Sequence, residues 1–381
     1  METLRAEILL LTRNLPPLVG GMETLLYNSA NCLAGDYRLT VVGPRGCAEY
    51  FPAEIECLEA PRSLALFLLV TPFLCLWAAR GRHFRALVGG SGLMAPCLWL
   101  LSKILRVPTT CFIHGLDIVV ASRIYQALFL PCVRRMNFII ANSSNTRGLC
   151  IERGVEPTRI TVIPPGCGQP TVNREAGKRY LEQQLGRQSD FLLLFVGRVV
   201  PRKGLLRFMR EAFADLLQRR PGTVLAIVGE EPVESLAHRS AEMSELTTLV
   251  EQRGWGEVVR FLGKVDDAAL SLCYSGADCL LFPLVPVAGD VEGFGMVAIE
   301  AAAHGLQTVA FAEGGVVDAV AAGASGYLVQ SGDYPAMVQV LTEVEASPSS
   351  GQACRAHAAG FSWENFGEKL RTHMNAVLNK G

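Results

Sequence analysis

The chain has 381 residues; half are hydrophobic, 19% are charged, and the formal net charge is −1. That length suits two ordinary domains, and that composition excludes a disordered chain. Basic residues are nowhere interleaved with aromatics in one stripe, which speaks against a nucleic-acid partner. The charge is uneven: residues 1–170 hold 16 Lys and Arg against 11 Asp and Glu, and residues 171–381 hold 19 against 25.

Glu2, Arg5 and Glu7 interrupt the start, so no signal peptide is expected, and residues 7–12 read as a first strand. A Pro16-Pro17 loop then leads to Gly20-Gly21, ahead of a helix from about Met22. Glycine in a strand-to-helix turn lets the backbone close on a ligand, although it is also a common turn residue. A second strand is expected at residues 39–42.

Residues 61–110 carry six basic residues (Arg62, Arg80, Arg82, Arg85, Lys103, Arg106), no acidic one, and are otherwise very apolar. Such a stretch suits anionic lipid headgroups. Its core, residues 64–79, has no charge but is interrupted by Pro72, and is shorter than the roughly 20 residues that span a bilayer. Three readings stand, in falling order: a buried helix, a helix lying in a membrane surface, and a true span.

Strands follow at residues 86–88 and 109–113. His114 ends the latter and is followed by Gly115 and Asp117. Asp117 reads either as an acceptor-side base or as a helix N-cap. Residues 138–141 and 160–163 continue the rhythm, and a turn-rich stretch at 164–173 breaks it. The rhythm restarts at 191–196, 223–228, 258–261, 279–282, 308–310 and 327–329. Short apolar strands alternating with helical stretches predict an α/β fold with parallel sheets. The divisions expected are residues 1–168, 169–362 and a last helix within 363–381. Ligands of such sheets bind beyond the carboxyl ends of the strands.

Twelve scattered cysteines form no C-x-x-C pair and mostly lie in apolar runs, which predicts reduced core thiols in a cytosolic protein. No histidine–cysteine cluster, HExxH or paired acidic motif suggests a metal. Asp266-Asp267 reads as helix capping.

The richest segment is Glu292-Gly-Phe-Gly-Met-Val-Ala-Ile-Glu300. It reads as a loop feeding a helix over residues 296–304. Gly293 and Gly295 permit close backbone approach, and a first helical turn offers free N–H groups to a phosphate. Glu292 on the loop and Glu300 within the helix are placed to accept hydrogen bonds from hydroxyls. A phosphate cradle with hydroxyl acceptors on both sides is what a sugar nucleotide requires.

This segment resembles the E-x7-E motif of glycosyltransferase family 4, retaining enzymes of the GT-B fold. The resemblance extends in order over Gly20-Gly21-Met22-Glu23, His114-Gly115-Leu116-Asp117, Asn142-Ser143, Pro164-Pro165-Gly166, Gly197-Arg198 with Lys203-Gly204, Gly314-Gly315 and Gly323-Ala324-Ser325-Gly326. It implies two doubly wound Rossmann-like domains facing each other across a cleft. The first would bind the acceptor and the second the donor, with the last helix crossing back.

The resemblance also assigns roles. Arg198 and Lys203 would bind the donor diphosphate and offset its growing charge. Gly20 and Gly21 would close on it, and His114 would contact the transferred sugar. Glu292 would bind that sugar's hydroxyls and Glu300 the ribose. Phe294, Met296 and Val297 complete the loop and helix start, and Val265 would meet the nucleobase through its backbone. No cofactor and no catalytic metal are expected.

The expected partners are a nucleotide-sugar donor and a lipid-linked saccharide acceptor, with peripheral association at the cytoplasmic face of the inner membrane. The opening residues 11–23 resemble mannosyl- and rhamnosyl-type transferases using GDP-sugars in lipopolysaccharide O-antigen assembly. Alternatives are a phosphatidylinositol mannosyltransferase, a sugar-nucleotide epimerase or hydrolase on the same fold, and a non-catalytic partner that binds lipid or another transferase.

Overall fold

The computed structural model describes residues 5–171, 173–230, 242–345 and 347–380. By its internal contacts the chain divides into two units, Met1–Gly166 with Trp363–Gly381, and Cys167–Ser362.

The first unit is a seven-stranded sheet: β1 (Glu7–Leu11), β2 (Arg38–Pro44), β3 (Glu56–Ala60), β4 (Phe84–Gly89), β5 (Thr109–Ile113), β6 (Phe138–Ala141) and β7 (Ile160–Val162). The strands run parallel in the order β3-β2-β1-β4-β5-β6-β7. Parallel strands covered on both faces read as continuous apolar runs, and Glu7-Ile-Leu-Leu-Leu11 shows why. Leu9 and Leu11 enter one core, while Ile8 and Leu10 enter the other.

Helix α1 (Gly21–Asp36) and the terminal helix Trp363–Asn379 cover one face, sharing Leu25, Leu33, Phe366 and Leu370 in one cluster. Helices α2 (Leu64–Ala78) and α3 (Ala95–Leu105) cover the other, with Phe67, Cys75, Leu98 and Leu101 buried there. The terminal helix is pinned by His373, whose ring lies 2.9 Å from Thr110 Oγ1 and 3.1 Å from Thr161 Oγ1. Burial pulls that imidazole down to about 4, so it is neutral at ordinary pH.

The second unit has six parallel strands: β8 (Phe191–Val196), β9 (Thr223–Val228), β10 (Val259–Gly263), β11 (Cys279–Phe282), β12 (Thr308–Phe311) and β13 (Gly326–Val329). Their order is β10-β9-β8-β11-β12-β13. Again the strands are two-sided: Leu193 and Phe195 enter one core, and Leu192 and Leu194 the other.

Both sheets are therefore doubly wound. Each reverses its strand order once, between β1 and β4 in the first and between β8 and β11 in the second. At such a switch point the loops leaving two neighbouring strands diverge and leave a crevice beyond their carboxyl ends.

The sequence reading did not include β3, an edge strand with two glutamates in five residues. The twelve cysteines are all free thiols and ten are buried. Among the described residues, no helix is long and apolar enough to cross a membrane.

Candidate active site

In the second unit the loops after β8 and β11 meet. Gly204 has φ 69°, and a Cβ there would lie 1.9 Å from the Pro283 carbonyl oxygen. Only glycine fits such an approach with a positive φ. The Val285 N–H donates to the Arg202 carbonyl at 3.0 Å, which joins the two loops.

That junction carries a four-residue ion network. Lys203 Nζ lies 2.7 Å from Glu292 Oε2, and Arg202 contacts the same oxygen through Nη1. Arg202 Nε lies 3.2 Å from Asp290 Oδ1. Lys203 is buried, with its ammonium 4.6 Å from the centre of the Phe282 ring. Burial pulls Lys203 down to about 8, against the opposing pull of the Glu292 charge. For Glu292, burial works to raise the pKa, but the Lys203 and Arg202 charges prevail and hold it at about 2. The carboxylate is thus fixed as an anion, and the ammonium can lose its proton just above neutrality.

The predicted cations differ in setting. Lys203 is inside the network, whereas Arg198, just after Gly197, is exposed. Sequence reasoning did not name Arg202 or Asp290. The Arg202-Lys203 doublet was the only available signal, because Arg202 meets its partners across about 90 residues of chain.

Behind Glu292, Gly295 (φ 92°) starts the helix Met296–Ala303. The Gly314-Gly315 turn supports this entry: the Gly315 N–H donates to the Glu292 carbonyl at 2.9 Å, and a Cβ at Gly315 would lie 2.1 Å from the Gly293 oxygen. Phe294 turns its side chain away from this entry and into the core. Its ring is only 2% exposed and packs against Phe361, which leaves its backbone alone for a ligand.

Glu300 accepts a hydrogen bond from the Tyr274 hydroxyl at 3.0 Å. Burial raises its pKa, with the Tyr274 bond opposing. Glu300 lines a pocket of about 360 Å³ with Gln169, Ser271 and His304. His304 Nδ1 lies 2.7 Å from the Glu300 carbonyl, which can only accept, so this nitrogen donates. Burial keeps the ring neutral, and Nε2 then accepts from the Ser271 hydroxyl at 2.8 Å. Sequence reasoning also missed Tyr274; its signal was a lone tyrosine just before β11.

Val265 follows the edge strand β10 and is half-buried. Asp266 accepts from the Ala269 N–H and caps the helix Asp267–Gly276, as its capping reading proposed.

In the first unit, residues gather beyond β1, β4 and β5. Gly20 directly precedes α1, and a Cβ on it would lie 2.5 Å from Glu23 Oε2. Glu23 accepts from Asn14 Nδ2 at 2.8 Å, bracing the loop that leads to Gly20 and Gly21. His114 is buried, and its Nε2 donates to the Gly90 carbonyl at 2.7 Å.

Asp117 accepts from the His114 N–H at 3.2 Å and from the Gly92 N–H at 3.3 Å, tying the loops after β4 and β5 together. It is not the N-cap of its short helix, a position taken by Gly115 with φ 94°. Among the described residues, no group of three or more His, Cys, Asp or Glu is arranged to hold a metal ion.

Comparison with known proteins accounts for most of the chain. Residues 19–167 match the model described as Glycosyltransferase Family 4, and residues 178–360 match that of Glycosyl transferases group 1. A D-inositol 3-phosphate glycosyltransferase of Catenulispora acidiphila is 36% identical over 218 residues, covering 55% of this chain and 49% of that protein. One from Nocardia farcinica is 34% identical over 248 residues, covering 63% and 52%. The chain thus spans about half the length of the curated relatives it matches.

Among solved structures, sucrose-phosphate synthase from Thermosynechococcus elongatus superposes with a TM-score of 0.80 at 21% identity, covering 99% of this chain and 100% of that one. HepE of Anabaena in complex with UDP-glucose gives 0.77 at 20%, covering 97% and 99%. At these identities the likeness is one of fold. The two doubly wound sheets, each matched by one of these two models, have the GT-B fold.

Proposed function

We propose that this chain is a retaining hexosyltransferase that uses a nucleotide-diphosphate sugar. The observation that carries this reading is the Lys203–Glu292–Arg202 network at the β8/β11 switch point, set beside a helix start and Glu300. Lys203 and exposed Arg198 supply positive charge for the donor diphosphate. Free N–H groups at Met296 and Val297 add the partial charge of a helix N-terminus. Glu292, an anion at every working pH, accepts from hydroxyls of the sugar, and Glu300 from those of the ribose. The bond from the anomeric carbon to the diphosphate oxygen breaks, and its electron pair leaves with the diphosphate. The acceptor oxygen bonds to the same face, and the departing phosphate takes its proton. Fixed cations near that phosphate stabilise the developing charge without reorganisation.

The acceptor we propose is a lipid-linked saccharide. The finer donor reading is GDP-mannose or GDP-rhamnose in lipopolysaccharide O-antigen assembly. A second acceptor class, inositol phosphate, is favoured by the names of the relatives at 32–36% identity. Incubation with UDP- and GDP-sugars, offered polyprenyl-diphosphate-linked saccharide or D-inositol 3-phosphate, separates these readings by product mass. The anomeric configuration of the product by NMR tests retention. Folded protein that transfers from no donor, or that inverts the anomeric centre, would overturn the proposal.

A further inference from the structure

Helix α2 is buried along one side and exposed along the other. Phe67, Thr71, Cys75 and Ala78 are buried, while Leu66, Leu69, Phe73 and Trp77 are exposed. At about 100° per residue the exposed four fall within an arc of roughly 80°, opposite the buried four. Phe73 is 68% exposed and Trp77 56%. These are large side chains to leave in water.

The exposure continues onto the neighbouring elements. α2 packs on α3, which exposes Leu100 and Ile104, and α3 packs on the stretch after Ser122, where Ile124 and Leu128 are exposed. α2 and α3 bury their other sides in one core against the same face of the first sheet, and the chain that continues the third element enters that core at Leu130 and Val133. Eight of the thirteen exposed large hydrophobics among the described residues lie on this one layer. Contiguous apolar exposure of this kind marks an interaction surface.

Charge says what kind of surface it meets. Between Glu59 and Glu152 the chain has ten Lys or Arg and a single acidic residue, Asp117. Asp117 is turned to the His114 and Gly92 backbone. Arg80 at the end of α2, Lys103 on α3 and Arg123 before Ile124 are exposed, and none is in an ion pair among the described residues. Arg82 is excluded from this set because it pairs with Glu56. A protein partner with mixed charges does not call for so one-sided a balance. An apolar face with cations around it matches the acyl–headgroup boundary of an anionic bilayer.

We propose that the outer face of α2, α3 and the 122–128 segment docks this protein on an anionic phospholipid surface, with Phe73 and Trp77 inserted at the acyl boundary. The inference rests on the proposed lipid-linked acceptor for its purpose, but its geometry is independent of that reading. It extends the cationic apolar stretch seen in residues 61–110 to a third element and names the side chains that enter the lipid.

Vesicle flotation tests it with the full chain. Wild-type protein is expected to float with phosphatidylcholine–phosphatidylglycerol vesicles and far less with phosphatidylcholine alone, with partition falling as salt is raised. Phe73→Glu with Trp77→Glu should lower partition by at least about 100-fold. Arg80→Ala with Lys103→Ala should lower it roughly tenfold. All four positions are exposed, and an unchanged thermal transition confirms folding.

No flotation with any vesicle, or flotation unaffected by Phe73→Glu with Trp77→Glu, would overturn the proposal. A dimer that becomes a monomer in that variant, with no vesicle binding by wild type, would instead assign the face to a second copy. Calorimetry of nucleoside diphosphate binding runs alongside. Nucleotide binding without flotation removes the docking face alone, and flotation without sugar transfer removes only the proposed chemistry.

Discussion

The two sheets place their candidate residues at equivalent topological positions but build with different materials. Beyond β8 and β11 the site is held by charge: two cations and two carboxylates in contact, all largely buried. Beyond β1, β4 and β5 it is held by hydrogen bonds to backbone groups rather than by ion pairs, with His114 on a carbonyl and Asp117 on two N–H groups. The difference fits a division of labour. A diphosphate must be met by charge that is already in place. A hydroxyl acceptor and the face of a sugar need position more than charge.

The largest expected effects come from breaking the charged site. Lys203→Ala removes a cation from beside a buried carboxylate, and turnover should fall by roughly 10²–10³ if the ammonium acts as a fixed stabiliser of leaving-group charge. The same change leaves Glu292 with Arg202 alone and should cost about 3 kcal/mol of stability, seen as a lower urea midpoint. Arg198 is exposed and in no ion pair among the described residues, so Arg198→Ala should cost turnover but almost no stability. Equal stability losses in the two variants would erase the asymmetry described here.

A smaller effect of the same origin is a pH dependence. The Lys203 ammonium, pulled down to about 8, loses its proton as pH rises through that value. The rate at low donor concentration should therefore decline on the alkaline side near pH 8. A bound diphosphate favours the cation, so the rate at saturating donor should hold to higher pH. Stability moves the other way. The folded pKa lies below the ordinary 10.5, so the unfolded chain binds more protons between those values, and this group's contribution to stability rises with pH across that window. Glu292, held near 2 against 4.5, contributes stability present above 4.5 and lost as pH falls toward 2. Lys203→Met should abolish the alkaline limb; a limb that persists near pH 8 belongs to another group.

The site beyond β1, β4 and β5 should respond more gently and in a different constant. His114→Asn keeps a donor but shifts it, and should lower turnover while leaving nucleoside diphosphate affinity within about twofold, since the residue touches no diphosphate in this account. Smallest of all, Tyr274→Phe removes one hydrogen bond to Glu300 and should weaken nucleotide affinity by roughly fivefold. If Tyr274→Phe instead changed turnover with affinity intact, Glu300 would not be a ribose ligand.

These expectations rest on side chains that the sequence revealed unequally. The sheet strands were readable because two-sided burial makes each one an apolar run bounded by turns, as at Phe191–Val196. β3 was not, because an edge strand buries little and Glu56 and Glu59 break its run. The helix after Gly295 was readable from its glycines and its run of helix formers. The partnership of Arg202 with Asp290 was not, because it depends on two loops closing through Gly204 on Pro283. In α2, uniform apolarity erased the periodicity that separates a buried face from an exposed one, and only neighbours in the fold decide between them.

The central claim is that the ends of β8 and β11 hold the donor's diphosphate through Lys203. Titration calorimetry of GDP and UDP into wild type and into Lys203→Ala tests it most directly, with the variant's fold checked by its thermal transition. The account predicts that wild type binds at least one of the two and that Lys203→Ala weakens that binding by at least about tenfold. Equal affinity in wild type and a folded Lys203→Ala would contradict it.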